Sequence, residues 1–241
     1  MIRLRGVTHR YNRRHVILTD VDIEIPTDRR VALMAGPYSG KTTVLQIIAR
    51  QLTPWRGRIE RTGRVSFIGG FHTAFRSTMT ARQNFGFAAE LYGCNPSQVI
   101  GFIAEISGLG DLLDVPFRQL GLQNRISLCY LLTYALDFDT YLFDNIAGPW
   151  ISEIKDFHKI CDELYAQKTA SAGSIFATRE PRVAVKYCDS ALLLRDRKLY
   201  YYDDLQEALA IVEEDRLAAE SLAANPNPVP DLPDKLRALR D

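Results

Sequence analysis

The sequence has no apolar run near the ~18 residues that a membrane-spanning helix needs, and no apolar leader of the kind removed from exported proteins. These absences predict a cytoplasmic chain, held at a membrane only through a partner. Cysteine is scarce: Cys94, Cys129, Cys161 and Cys188 are scattered and never fall in C-x-x-C spacing. That argues against a disulfide framework or a zinc ribbon and favours reduced, packed thiols. His9, His15, His72 and His158 show no metal-ligand spacing either. Charge of one sign is also missing, since 30 Lys and Arg face 29 Asp and Glu. There is no electrostatic case for a nucleic-acid partner. Arg3, Arg5, Arg10, Arg13, Arg14, Arg29 and Arg30 concentrate positive charge near the start and read as a solvated face.

What is present suits a globular chain. With 241 residues, 46% apolar and 24% charged, there is enough material for one α/β domain with a full core, or a domain plus an appendage.

The most informative stretch runs from Val31 to Thr43. The apolar run Val31-Ala32-Leu33-Met34 leads through Ala35-Gly36-Pro37-Tyr38-Ser39-Gly40 to Lys41-Thr42-Thr43, and Val44, Leu45, Ile47, Ile48 and Leu52 follow at helical spacing. Buried strand, tight loop and amphipathic helix in that order form the setting of a phosphate-binding loop. Backbone N–H groups and the positive end of the helix cradle phosphate oxygens, a lysine reaches the β/γ-phosphates, and a hydroxyl binds Mg²⁺. Lys41 and Thr42 have those roles available. The pattern G-x-x-x-x-G-K-[ST] places its first glycine at position 35, which is Ala35, with Gly36 one place late. A chance Gly-Lys-Thr after a strand is the alternative.

Two alternating segments, residues 2–11 and 21–25, predict half-buried strands, with Tyr11 closing the first. Short strands are expected over 55–60 and 64–68, separated by a turn at Thr62-Gly63. Thr80 answered by Gln83 reads as a capping box opening a helix to about residue 92. A second helix spans 96–107, stopped at Gly108, and a third spans 122–136, apolar on most sides and therefore buried. Thr140-Tyr141-Leu142-Phe143-Asp144 is a short apolar strand ending in a carboxylate. A helix over 151–167, a strand over 174–178, a hairpin 191–195/198–201 and a helix from 203 or 204 to 224 complete an α/β alternation. Prolines at 226, 228, 230 and 233 make 225–233 an extended linker, leading to a short helix over 234–240 or to a disordered tail.

With these residues the chain resembles the ATP-binding subunits of ABC transporters, and more narrowly the branch that exports capsular and related cell-surface polysaccharides across the inner membrane of Gram-negative bacteria. The likeness is carried by the opening Met1 to Tyr11, by Thr80-Ala81-Arg82-Gln83-Asn84-Phe85, by Leu91-Tyr92-Gly93, by Ala135 to Asp144 and by Tyr202 to Ala208.

It implies a P-loop NTPase fold of the ABC ATPase type, spanning residues 1–224. The parts would be a mixed β-sheet core, a small antiparallel β subdomain (residues 1–30 and 55–67) and a helical insert (about 78–130), followed by the linker and tail, 225–241. By the same resemblance Tyr11 stacks on adenine, residues Gly36, Pro37, Tyr38, Ser39, Gly40, Lys41, Thr42 and Thr43 form the phosphate loop, and Thr42 with Asp144 holds Mg²⁺. A strand-end packing role is the alternative for Tyr11. The implied ligand is Mg-ATP. The implied partners are a polytopic permease, met through the insert and the aromatic linker from Phe67 to Phe75 with Phe71 foremost, and a second ATPase subunit, identical or not. The place is the cytoplasmic face of the inner membrane.

Several positions depart from the resembled pattern. Tyr38 stands where transport ATPases usually carry another glycine, and costs roughly 1 kcal/mol or more if φ is positive there. Asn145 stands where the glutamate that polarises the attacking water belongs, and Arg179 where the switch histidine belongs. Gly121-Leu122-Gln123 lies opposite the Ser-Gly-Gly signature that closes on the γ-phosphate of the partner, so Gly121 and Gln123 are the candidate contacts there. The linker from Val65 to Arg76 has no glutamine. Catalysis carried by Asn145 and Arg179 is therefore expected to be reduced or absent, while nucleotide binding is kept. A fully active transport ATPase and a non-hydrolysing scaffold that gates assembly by binding ATP are the alternatives.

Overall fold

A computed structural model describes residues 1–36, 39–70, 75–144 and 154–224, excepting the side chains of 219 and 221–224. The elements are β1 (Ile2–Arg10), β2 (Val16–Ile25), β3 (Arg30–Met34), α1 (Lys41–Ile48), β4 (Arg56–Arg61), β5 (Val65–Gly69), α2 (Ala81–Leu91), α3 (Pro96–Ser107), α4 (Leu122–Ala135), β6 (Thr140–Asp144), α5 (Phe157–Lys168), β7 (Gly173–Thr178), α6 (Pro181–Tyr187), β8 (Ser190–Arg195), β9 (Lys198–Tyr202) and α7 (Leu205–Ala224). Two short 3₁₀ turns, Gly110–Asp114 and Phe117–Gln119, join α3 to α4.

The strands make two sheets, a three-stranded antiparallel one ordered β2-β1-β4 and a six-stranded one ordered β5-β6-β7-β3-β8-β9. The larger sheet is parallel except for the β8–β9 hairpin on its edge. Central β3 explains the arrangement. Side chains alternate across a strand, and in β3 both sets are apolar. Val31 and Leu33 join the core formed with α1 and the antiparallel sheet, while Ala32 and Met34 join the core beneath the helices. A strand buried on both faces needs a layer on each side, and this chain supplies them.

Among the described residues the predicted strands and helices are found with shifted ends, the expected linker 225–233 and the short helix or tail after it lying outside them, and three differences stand out. The stretch read with the antiparallel subdomain up to residue 67 is split, because β5 leaves that sheet and pairs parallel with β6, Val65 opposite Thr140. The Thr62-Gly63 turn is a crossing between sheets: Thr62 N–H donates to the Met1 carbonyl at 3.0 Å and Arg64 N–H donates to Asp139 Oδ2 at 2.6 Å. The second strand begins at Val16 rather than 21. Helix α6, with Pro181 at its first turn as prolines favour, has only seven residues, too few for an apolar period to show.

The capping box is present, Gln83 N–H donating to Thr80 Oγ1 at 3.1 Å and Thr80 N–H to Gln83 Oε1 at 3.0 Å. Helix α4 is buried continuously from Ser127 to Tyr134. Phe75, at the end of the linker expected to be the contact edge with a packed loop as the alternative, packs edge-on against Phe67, Phe85 and Phe117; Phe71 lies outside the described residues. The early arginines are dispersed, Arg3 pairing with Glu24, Arg29 and Arg30 sharing Asp189, and Arg10 lying over Trp55.

Candidate functional site

Parallel strands release their chains at one end of the sheet, and ligands gather at those carboxyl ends. Here β3, β6 and β7 end side by side against the N-terminus of α1. They enclose a cleft of about 440 Å³ lined by His15, Ile17, Ser39 to Thr43, Asp144 and Ala177 to Arg179.

Gly40 makes the tight entry into α1. It sits at φ 99°, and a Cβ there would lie 2.6 Å from Ile17 Cγ2. No described side chain caps the helix, so its first-turn N–H groups remain available to an anion. Lys41 Nζ donates to the carbonyls of Ala35 at 3.0 Å and Gly36 at 3.2 Å. Ser39 Oγ donates to the same Gly36 carbonyl at 2.7 Å. Burial lowers the pKa of Lys41 below the ordinary lysine value, the positive charge of Arg179 lowers it further, and Asp144 offsets part of the effect.

Thr42 Oγ1 donates to Asp144 Oδ2 at 2.6 Å, across 102 residues of sequence. One hydroxyl and one carboxylate of this kind suit Mg²⁺, which takes hard oxygen ligands and leaves its remaining positions to phosphate and water. Among the described residues no group of three or more His, Cys, Asp and Glu forms a protein-only metal site.

Of the predicted residues, the structure brings Ser39, Gly40, Lys41, Thr42, Thr43, Asp144 and Arg179 to one cleft, with Gly36 beside it through the Lys41 and Ser39 contacts. Tyr11 stands at the rim, 54% exposed, its hydroxyl 3.0 Å from Thr43 Oγ1 and its ring against His9 and His15. Gly121 and Gln123 open α4 away from this cleft, beside the exposed Leu122. Pro37, Tyr38 and Asn145 lie outside the described residues. Sequence reasoning missed His15, Ile17 and Thr178. A turn histidine and a strand isoleucine carry no motif, and only the packing of the small sheet over Gly40 brings them in.

No family model matches the chain. Among solved structures, one described as the ATP-binding subunit of an ABC transporter superposes with a TM-score of 0.66 at 15% identity, covering 91% of this chain and 98% of that one. A putative metal-chelate type ABC transporter in an inward-facing conformation gives 0.62 at 16%, covering 86% and 84%. The fold is that of the ABC ATPases.

Curated proteins similar to this ABC ATPase-type chain point the same way. It is 28% identical over 221 residues to the polysialic acid transport ATP-binding protein KpsT of Escherichia coli, covering 89% of this chain and 100% of that protein. It is 25% identical to the ATP-binding protein BexA of Haemophilus influenzae (89% and 99% covered) and 26% identical to the capsule polysaccharide export ATP-binding protein CtrD of Neisseria meningitidis serogroup B (86% and 96%).

Proposed function

We propose that this chain is the nucleotide-binding subunit of an ABC-type exporter of a polysaccharide-like substrate, binding Mg-ATP with reduced or absent hydrolysis. The observation that carries the binding half is the convergence of Lys41, Thr42 and Asp144 in one cleft at the head of α1. Similarity to KpsT, BexA and CtrD supports the transport half. The partners are a polytopic permease at the cytoplasmic face of a membrane and a second ATPase subunit. The exposed start of α4, which does not line this chain's own cleft, would meet a neighbour's nucleotide.

Within the cleft, Lys41 exchanges its loop carbonyls for β/γ-phosphate oxygens, and the α1 N-terminus adds uncapped N–H donors. Thr42 and Asp144 would hold Mg²⁺, which neutralises phosphate charge when bound. Arg179 lines the same cleft and would add positive charge toward a γ-phosphate.

Reduced hydrolysis rests on Asn145, whose amide cannot accept a proton as the resembled glutamate can. A missing general base removes ~10²- to 10⁴-fold in rate. Because the α4 start also lacks the signature serine, an intact partner subunit should not restore turnover.

A binding assay beside a turnover assay on the purified chain tests this reading. Wild type should bind Mg-ATP saturably, and Lys41→Ala should abolish binding. No saturable binding at millimolar nucleotide overturns the binding half. Turnover of about one per second or faster, within the usual enzyme range, overturns the reduced-hydrolysis half.

A further inference from the structure

One buried side chain outside the cleft touches the backbone at the ends of two neighbouring strands, β5 and β6. Tyr130 lies on α4, 3% exposed, and its hydroxyl donates to the main-chain carbonyl of Asp144 at 3.3 Å. Its ring stacks on Phe143, the residue before Asp144, with centroids 6.1 Å apart and planes 7° from parallel. The other edge of the ring meets Gly70, where a Cβ would lie 2.5 Å from Tyr130 Cε2 and φ is +78°. Gly70 directly follows β5, where the chain leaves the sheet towards α2. Tyr130 therefore joins α4 to the ends of β5 and β6 at once.

The chemistry follows from what each contact fixes. A hydrogen bond to the Asp144 carbonyl restrains the backbone of that residue from the α4 side, and pairing opposite Ala177 of β7 restrains it within the sheet. A held backbone fixes where the Asp144 side chain starts, and its carboxylate then meets Thr42. At 3.3 Å the bond is long for O–H···O. Phe143, Phe176 and Tyr134 pack there, and burial raises the Tyr130 phenol pKa well above its ordinary value, keeping it a neutral donor.

Resting on the Mg-ATP reading of the cleft, we propose that Tyr130 is a positioning residue that aims the Asp144 carboxylate at the metal and ties that aim to the start of the helical insert. A change in the insert that shifts α4 or Gly70 would then reach Asp144 through this ring, and metal binding would reach the insert by the same route.

Tyr130→Phe keeps the ring and removes only the hydroxyl. The measurement is ATP affinity with Mg²⁺ and in EDTA, for wild type, Tyr130→Phe and Tyr141→Phe. Tyr141 is the control, a buried tyrosine also stacked with Phe143 whose hydroxyl donates to the Leu136 carbonyl instead. Tyr130→Phe should reduce the affinity gained from Mg²⁺ about fivefold, the factor one neutral hydrogen bond is worth, while the affinity in EDTA stays unchanged. Tyr141→Phe should lower melting temperature and leave the Mg²⁺ gain intact. If wild type binds with a Mg²⁺ gain and Tyr130→Phe keeps that gain within about twofold, or loses affinity equally with and without Mg²⁺, Tyr130 is only a packing residue and the inference is overturned. A wild type without any Mg²⁺ gain overturns the reading of the cleft itself.

Discussion

On the proposed reading Lys41 would hold phosphate only while charged, and burial together with Arg179 lowers its pKa from the ordinary 10.5, with Asp144 opposing. The folded chain therefore releases this proton at a lower pH than the unfolded chain does. The penalty of holding the buried charge is fully present at neutral pH and disappears as pH rises through the folded and then the unfolded pKa. For the ligand the sign reverses, since bound phosphate favours the charged form. Affinity for Mg-ATP should fall with rising pH before an ordinary lysine would begin to titrate. Arg179→Ala should move that fall to higher pH, and titrations from pH 7 to 10 read it directly. At the neighbouring residue, Gly40→Ala combines positive φ with the Ile17 contact. It should cost about 1–3 kcal/mol of stability, measurable by urea unfolding. Lys41, Thr42 and Asp144 were legible in the sequence because a phosphate loop is a local pattern and an apolar strand ending in Asp repeats it across the sheet. The link made by Tyr130 was not. On a helix buried nearly all round, periodicity cannot tell which face meets which strand end.

Helix caps and buried helices carry their own expectations. Thr80→Ala removes the hydroxyl half of the α2 capping box, leaving the backbone N–H at that position to donate to Gln83, and should cost about 1 kcal/mol; chemical denaturation beside Thr80→Ser, which keeps the cap, is the check. Cys129 in α4, Cys161 in α5 and Cys188 after α6 are buried. Burial raises all three thiol pKa values, that of Cys188 to about 12, so they should resist alkylation in the native state, leaving half-buried Cys94 as the one that reacts. Mass spectrometry before and after denaturation counts the labels. Elements with a strong local signature, such as α2 with its cap or α3 between Asn95 and Gly108, could be read residue by residue. Assigning β5 to a sheet could not, because a short apolar strand after a glycine turn looks the same whether it folds back on its neighbour or crosses to pair with a strand 75 residues later.

The two sheets of the molecule meet at few polar points. Thr19 N–H donates to the Arg197 carbonyl at 2.9 Å, Lys198 reaches the Asp20 carbonyl, and Tyr11 touches Thr43. The cleft lies on this junction, with His15 and Ile17 from one sheet and Asp144 and Thr178 from the ends of the other. Nucleotide should thus act as a clasp. At a hundredfold excess over Kd, binding adds about 2.7 kcal/mol to stability, and thermal scans should show a Mg-ATP-dependent rise in melting temperature that Lys41→Ala lacks. The order of strands also sets a timetable. β3 leaves the ribosome early, yet both its neighbours, β7 and β8, lie some 140 or more residues later in the chain. At ~5–20 residues per second the strand waits roughly 7 to 30 seconds for its place. During that wait both hydrogen-bonding edges and the Ala32 and Met34 face, which packs with later helices, stay uncovered, so a nascent chain arrested before residue 190 should offer a chaperone site at Val31 to Met34, while a released chain offers none.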